Sequence, residues 1–500
     1  MPPGAAAHDG GAPHTPGPAG AVHVIADKRV PCPKCKALIV EGAKKCRACK
    51  AWIDGQGAPP SPGLPRAALI VTTAIATVMA VLVSSRESPV GEAPPLTTLG
   101  TEPAASGAPR APSPGAIGPE IEPEPDVPPP DPNRPWRARE LRIGEVHPLD
   151  IAWNPNGQSI YVSADDATLR EYRIKGGDLV HKASVPAQGD QIRLLFGRWI
   201  AVLRHQDAAR IPVMDTTTWD RDPLLLDVGQ SPGDIIEMPD GRTVVAASIE
   251  GKRVSRFDLV TGTRLADITL PHATGQLFLV RAEKRPFVAA LGALTHSGHH
   301  AGAWIDLFDP NEAPFGATRR SISVGRDPRA GAVTADGTAL LFPDRVSNTA
   351  ILLNIAGTTE TREVPVDSAP EAGFLMDGDR YGVTINSAGR TATVIALPQR
   401  AAPAKASGKP PGMAVLTTLM LSGAPCSGET SPDGRTLFVS LGGSEKPPKG
   451  SGVDVIAGDP PKVMASLPTG KGACAVAVSS DGTRAAVASY YSRTITILEQ

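Results

Sequence analysis

From about residue 136 onward the chain is written in short apolar runs split by tight-turn residues. Six stretches share one form: "DIAWNPNGQSIYVSA" (150–164), "DIIEMPDGRTVVAAS" (234–248), "RAGAVTADGTALLFP" (329–343), "EAGFLMDGDRYGVTI" (371–385), "CSGETSPDGRTLFVSL" (426–441) and "CAVAVSSDGTRAAVAS" (474–489). Each is an apolar run, then Asp-Gly or Asn-Gly, then a second alternating run, which is the signature of a hairpin. We expect the two-residue hairpin turn that Asp-Gly favours. A third run follows, as in "RVSRFDLVTG" (253–262) and "RTITILE" (493–499), and a fourth, as in "TRLADITL" (263–270) and "PKVMASLPTG" (461–470). Two further units near Gln191 and Gln276 keep the rhythm without the Asp-Gly turn.

Four strands per unit, repeated every 41 to 55 residues, is the pattern of propeller blades. First strands near residues 150, 191, 234, 276, 329, 371, 426 and 474 make eight units; seven is the alternative if one weak unit is an elaborated loop. The last unit ends after its third strand. The missing fourth is available at the front, where "ARELRIGEV" (138–146) has the form of a strand and would close the ring, removing the free edges that invite aggregation. These repeats resemble the YVTN and WD40-like bacterial β-propellers, on "SPDGRTLFVS", "SSDGTRAAVAS" and Tyr161-Val162-Ser163. That resemblance implies a rigid ring over about 365 residues. It does not name a job, because the fold hosts binding modules, lactonases and electron-transfer enzymes. The Trp219-Asp220 dipeptide falls between the third and fourth strands of its unit and is read as coincidence.

The pattern upstream is different. Residues 67–85, "AALIVTTAIATVMAVLVSS", are uncharged; as a helix they would span about 28 Å, close to the hydrocarbon thickness. Neither flank offers a core, and about 65 residues precede the run, so a retained transmembrane helix fits better than a core helix or a cleaved signal peptide. Nine Lys or Arg precede it, whereas only Arg86, Arg110 and Arg134 lie between it and Pro135. The positive-inside rule then puts the N-terminus in the cytoplasm and the repeats outside, at a bacterial inner membrane.

Four of the six cysteines, Cys32, Cys35, Cys46 and Cys49, form C-x2-C-x10-C-x2-C. Two CxxC turns facing each other supply a tetrahedral four-sulfur site that suits structural Zn²⁺ and leaves no open position for catalysis. The stretch resembles the short bacterial zinc ribbons with "CPxCG" knuckles; Lys36 and Lys50 replace the glycines and Arg47 the second proline. A catalytic or redox dithiol is the competing reading. The surrounding lysines offset the site's negative charge, or touch anionic lipid; nucleic acid is not expected as a partner. The organisation is therefore a disordered tail (1–26), a zinc ribbon (27–54), a short linker (55–66), the span (67–85), an acidic proline-rich linker (86–135) and the propeller (136–500). The linker holds 15 prolines between Ser88 and Pro135, with eight acids against two arginines over 87–135, and cannot bury enough apolar surface to order itself.

Net charge is −1, so bulk electrostatics point to no particular partner. Cys426 and Cys474 occupy equivalent positions on adjacent units, each seven residues before the turn Asp. An inter-blade disulfide is one reading and two apolar core thiols the other, since Cα atoms beyond ~7 Å cannot be bridged. Asp150, Gln191, Asp234, Gln276, Glu371 and Glu429 lie on first strands and could ring a central channel. His296, His299 and His300 sit in a Gly-containing loop that favours a solvated segment over a metal site, and "RRSISVG" (319–325) and "GSEKPPKGSG" (443–452) read as ordinary surface. No nucleophile-elbow, zincin or Walker motif is present. The expected function is a membrane-anchored, non-catalytic scaffold that binds a protein or envelope component through loops on one rim, with a cytoplasmic partner for the ribbon. The alternative is a membrane-anchored propeller enzyme of the lactonase or hydrolase type; a structural envelope spacer is the third reading.

Overall fold

The computed structural model describes residues 134–500, apart from 204–207, 283–284, 293–301, 356–358 and 399–411, together with the backbone of two short strands near the N-terminus. Those strands, Arg29–Pro31 and Leu38–Val40, pair antiparallel with Val30 opposite Ile39. In sequence they flank the first CxxC. The four N-terminal cysteines, the apolar run at 67–85, the proline-rich linker up to residue 133 and the three loop histidines lie outside the described residues. No helix among the described residues is long and apolar enough to cross a membrane.

The C-terminal unit contains eight four-stranded antiparallel sheets among the described residues. We number them as blades by their innermost strands: Pro148–Trp153 (blade 1), Gln191–Leu195 (2), Pro232–Glu237 (3), Gln276–Ala282 (4), Ala332–Val333 (5), Pro370–Met376 (6), Ser427–Thr430 (7) and Ala473–Val478 (8). The count is eight rather than seven. Arg137–Arg142 is the outermost strand of blade 8, paired with Thr494–Glu499 from Arg137↔Glu499 to Arg142↔Thr494. The chain's own front strand therefore closes the ring.

Burial explains why the sequence reads as it does. Second strands such as Ser159–Ala164, Thr243–Ser248 and Tyr381–Asn386 are buried at every position, because a neighbouring blade covers each face, so their apolar runs are nearly continuous. Outer strands such as Arg264–Thr269 alternate half-buried with exposed, as one covered face requires. The core is divided into eight apolar clusters, one at each junction between neighbouring blades. One joins blades 4 and 5 through Leu291, Ile305, Phe342 and Ile351, and one joins blades 8 and 1 through Ile497, Ala486, Ile160 and Trp153.

The hairpin turns differ from the two-residue form expected of Asp-Gly. In five of the six the glycine amide bonds back three residues, as Gly241 to Met238 and Gly434 to Ser431, and the glycine takes positive φ, as Gly241 at 67°. The Asp or Asn side chain then accepts the amide two residues on, as Asp240 from Arg242 at 3.0 Å and Asn156 from Gln158 at 2.9 Å. This local bond satisfies the turn without a primed geometry. Blade 6 differs: the Arg380 amide bonds back to Asp377, and the two residues between them, Gly378 (φ 59°) and Asp379 (φ 66°), are both left-handed, as the two-residue form requires.

Candidate binding face

Strand order fixes two faces. The turns joining first to second and third to fourth strands lie on one, here called the lower face. The turns joining second to third strands, and the connections from blade to blade, lie on the upper face, where the inner strands begin.

The residues expected to ring the channel are held at the upper face mainly as seams between blades. Asp150 accepts the amide of Ile151 at 2.9 Å and that of Ile192, on the next blade, at 2.8 Å. Asp234 repeats the arrangement, accepting Ile235 at 2.9 Å and Leu277 of blade 4 at 3.1 Å. Arg193 reaches Asp234 at 3.3 Å. Glu371 takes the Ser387 hydroxyl at 2.9 Å and faces Arg345 at 3.2 Å. The Gln276 side-chain oxygen is buried without a partner among the described residues, and Gln191 is half-buried. Burial raises Asp150 to about 6, against the Ile192 amide and Arg193. Burial, and then the charge of Asp150, pushes Glu429 up to about 8, against the Val478 amide and Arg193. Glu429 therefore holds its proton at neutral pH.

Cys426 and Cys474 are joined as a disulfide between the inner strands of blades 7 and 8, with Cα atoms 5.2 Å apart. The inner strands converge here at their first residues, inside the bridging range that splaying would have exceeded. The Cys426 amide extends the blade 7 ladder by bonding Ser440 at 2.8 Å.

Beside this bond lies an aromatic and basic cluster that the sequence reading missed. His147 stacks on Tyr490 at 4.6 Å, and Tyr490 meets Tyr491 edge-on at 5.2 Å. Lys471 sits 5.8 Å over the Tyr491 ring, which is 40% exposed. His147 Nδ1 donates to the Tyr490 carbonyl at 2.8 Å, the tautomer required by Arg493, which donates to Nε2 at 3.3 Å. Gly472 (φ 85°) makes this packing possible. A Cβ there would lie 3.0 Å from the Tyr491 nitrogen and the Pro448 oxygen. The segment 443–452, read as plain surface, packs into this corner through Gly450, whose carbonyl accepts the Gly472 amide at 2.6 Å. Two adjacent tyrosines in a chain with only five were the available signal.

A second cluster resembles hydrolytic machinery in composition but not in wiring. Buried Asp306 accepts His272 Nδ1 at 3.2 Å and the Ser321 hydroxyl, and His272 stacks on Trp304 at 4.3 Å. A nucleophile must hand its proton to the histidine. Here both serine and histidine point at the aspartate, so the cluster ties the third strand to the fourth and Ser321 is not bonded to the histidine. Trp219, between the third and fourth strands of blade 2, stacks on Tyr161 at 6.2 Å. No cluster of three His, Cys, Asp or Glu among the described residues is arranged to hold a metal.

No family model matches the chain, and no curated protein matches it in sequence. Solved structures match it by shape. The C-terminal WD40 domain of Sif2 is 12% identical, with 72% of this chain and 98% of that one covered at a TM-score of 0.53. The chain folds as a WD40-like β-propeller. Two further structures align more loosely. The hydrazine synthase of Kuenenia stuttgartiensis is 17% identical over 72% of this chain and 97% of that one, at 0.47. The Cps50 (Swd1) propeller domain of Myceliophteria thermophila is 12% identical over 73% and 100%, at 0.45. At these identities the likeness concerns the fold alone.

Proposed function

We propose that the WD40-like propeller is a non-catalytic protein-binding scaffold, anchored by a single membrane span at 67–85 and presented outside a bacterial inner membrane. A zinc ribbon on Cys32, Cys35, Cys46 and Cys49 faces the cytoplasm, where it docks a second partner. The observation that carries the reading is the upper-face cluster of His147, Tyr490, Tyr491 and Lys471. Aromatic and cationic side chains braced by their neighbours are the composition of interface hot spots, and propellers of this kind commonly mediate protein interactions. An oxidising exterior suits the Cys426–Cys474 bond, and a reducing cytoplasm suits zinc-held thiolates.

The test is crosslinking and capture with the full chain in its membrane, comparing wild type with a Tyr491→Ala, Lys471→Glu double variant. One dominant partner that the variant loses by tenfold or more supports the reading. Undiminished capture by the variant refutes the upper-face assignment. External protease that spares the C-terminal portion refutes the topology, and metal analysis that finds no zinc refutes the ribbon.

One observation favours the second reading, a hydrolase of the lactonase type. Glu429, raised to about 8 beside Asp150, is the kind of perturbed carboxyl that general acids display. Turnover of a lactone panel that disappears in Glu429→Gln would establish it in place of the scaffold.

A further inference from the structure

The lower face carries a feature that the scaffold reading does not use. A cavity of about 660 Å³ opens beneath blade 7, bounded by the hairpin turns of blades 6 and 7 and by Arg134–Trp136, which lead into the closing strand. Its volume lies within the range typical of small-ligand sites, about 300–1,000 Å³. Trp136, Met376, Val455, Met464 and Ala465 form apolar lining. Trp136 is half-buried and fixed by an edge-on contact with Phe438 at 5.0 Å, and Met464 is 48% exposed. A rigid indole and a flexible thioether suit a flat apolar body.

The polar residues around it divide by sign. Asp459 accepts the Tyr381 hydroxyl and Arg380, the latter at 2.8 Å, and Arg380 also pairs with Asp377. Asp433 accepts the Ser431 hydroxyl at 2.6 Å and the Arg435 amide at 3.0 Å. Every acid of the lining thus has a protein donor. Arg134 and Arg435 also line the cavity and are exposed, and neither guanidinium forms an ion pair with a described residue. We propose that this cavity binds a small amphipathic anion, with a flat apolar body against Trp136 and Met464 and a carboxylate, sulfonate or phosphate on Arg435 and Arg134. A guanidinium offers the planar fork that such groups accept. The site is separate from the upper-face cluster and stands whether or not that cluster binds a protein.

The probes are 1-naphthalenesulfonate and its cationic counterpart 1-naphthylmethylammonium, titrated calorimetrically into the full chain solubilised in non-ionic detergent. Saturable binding of the sulfonate is expected, at least tenfold tighter than the ammonium. Arg435→Glu and Met464→Asp should each weaken it by tenfold or more, while Lys175→Glu, an exposed charge on blade 1, should leave it unchanged. The melting temperature of each variant separates loss of the site from loss of the fold, and Arg134→Glu replaces any variant that melts early. Absence of saturable sulfonate binding, equal binding of both probes, or sulfonate affinity unmoved in well-folded variants would each overturn the proposal.

Discussion

The junction between blades 1 and 2 and the junction between blades 7 and 8 meet the same mechanical demand in different ways. At the first, a carboxylate does the joining: Asp150 reaches across to the Ile192 amide at 2.8 Å. At the second, Cys426 and Cys474 join the inner strands covalently at a Cα separation of 5.2 Å. Both lie near the start of the inner strand, and apolar clusters fill the space behind each. The covalent junction belongs to the two blades at the end of the chain, next to the place where the front strand closes the ring. An apolar wedge holds every junction together; the polar or covalent link sets the register at which neighbours meet. A carboxylate link answers to pH, and a disulfide answers to redox potential.

The difference can be broken most forcefully at blades 7 and 8. Cys426→Ser with Cys474→Ser removes a crosslink spanning 48 residues in sequence, worth about 4 kcal/mol on the chain-entropy account. Denaturant midpoints of the variant, and of the wild type with and without reductant, should show that loss. Identical midpoints would mean that the bond constrains nothing.

At blades 1 and 2 a smaller effect is expected. Asp150→Ala strands the Ile192 amide and should cost about 1–3 kcal/mol. Asp150→Asn retains an acceptor oxygen and should cost less than half as much. Equal losses from the two substitutions would assign the effect to packing rather than to the amide bond.

The smallest effect, and the one that separates the two kinds of link, is on pH. Asp150 and Glu429 have folded values near 6 and 8, above their ordinary values of 3.8 and 4.5. The folded state therefore binds protons more tightly, and stability should fall as pH rises from about 4 to 8. Both side chains are only half-buried, so solvent limits the amplitude. Glu429→Gln should flatten the slope above pH 6, and Asp150→Asn the slope below it. At the acid end the trend reverses. Burial works upward on Asp240, but the Thr243 hydroxyl and amide hold it at about 2, so its contribution is lost as pH falls below 4. Stability that rises steadily from pH 5 to 8 in wild type would refute the assignment of these two carboxyls.

Much of the ring was legible in the chain, because its signals are local. Asn156-Gly157 and Asp240-Gly241 marked hairpins before any tertiary contact was known. The run at 138–146 had the form of a fourth strand standing ahead of the first unit, and Arg137–Arg142 takes that place in blade 8. The site was less legible. Asp150 and Asp234 were recognisable as inner-strand polar residues, but the amides they hold lie 42 and 43 residues further on. The Asp306 cluster draws on His272 and Ser321, which no spacing rule connects. Tyr490 and His147, 343 residues apart, become neighbours only because the strand Arg137–Arg142 joins Thr494–Glu499 in blade 8, beside its junction with blade 1.

By itself, then, the sequence determined the repeat, the turn positions and the strand that closes the circle, while the choice of eight blades over seven came from the structure. Each of these is set by alternation and turn chemistry within a window of a few residues. Only the tertiary structure decided which carboxyls serve as junctions, that Cys426 and Cys474 come within bonding reach, where the tyrosines cluster and that a cavity opens beneath blade 7. Those features depend on the angle and offset between neighbouring blades, which close packing around the whole circle fixes and no single repeat encodes.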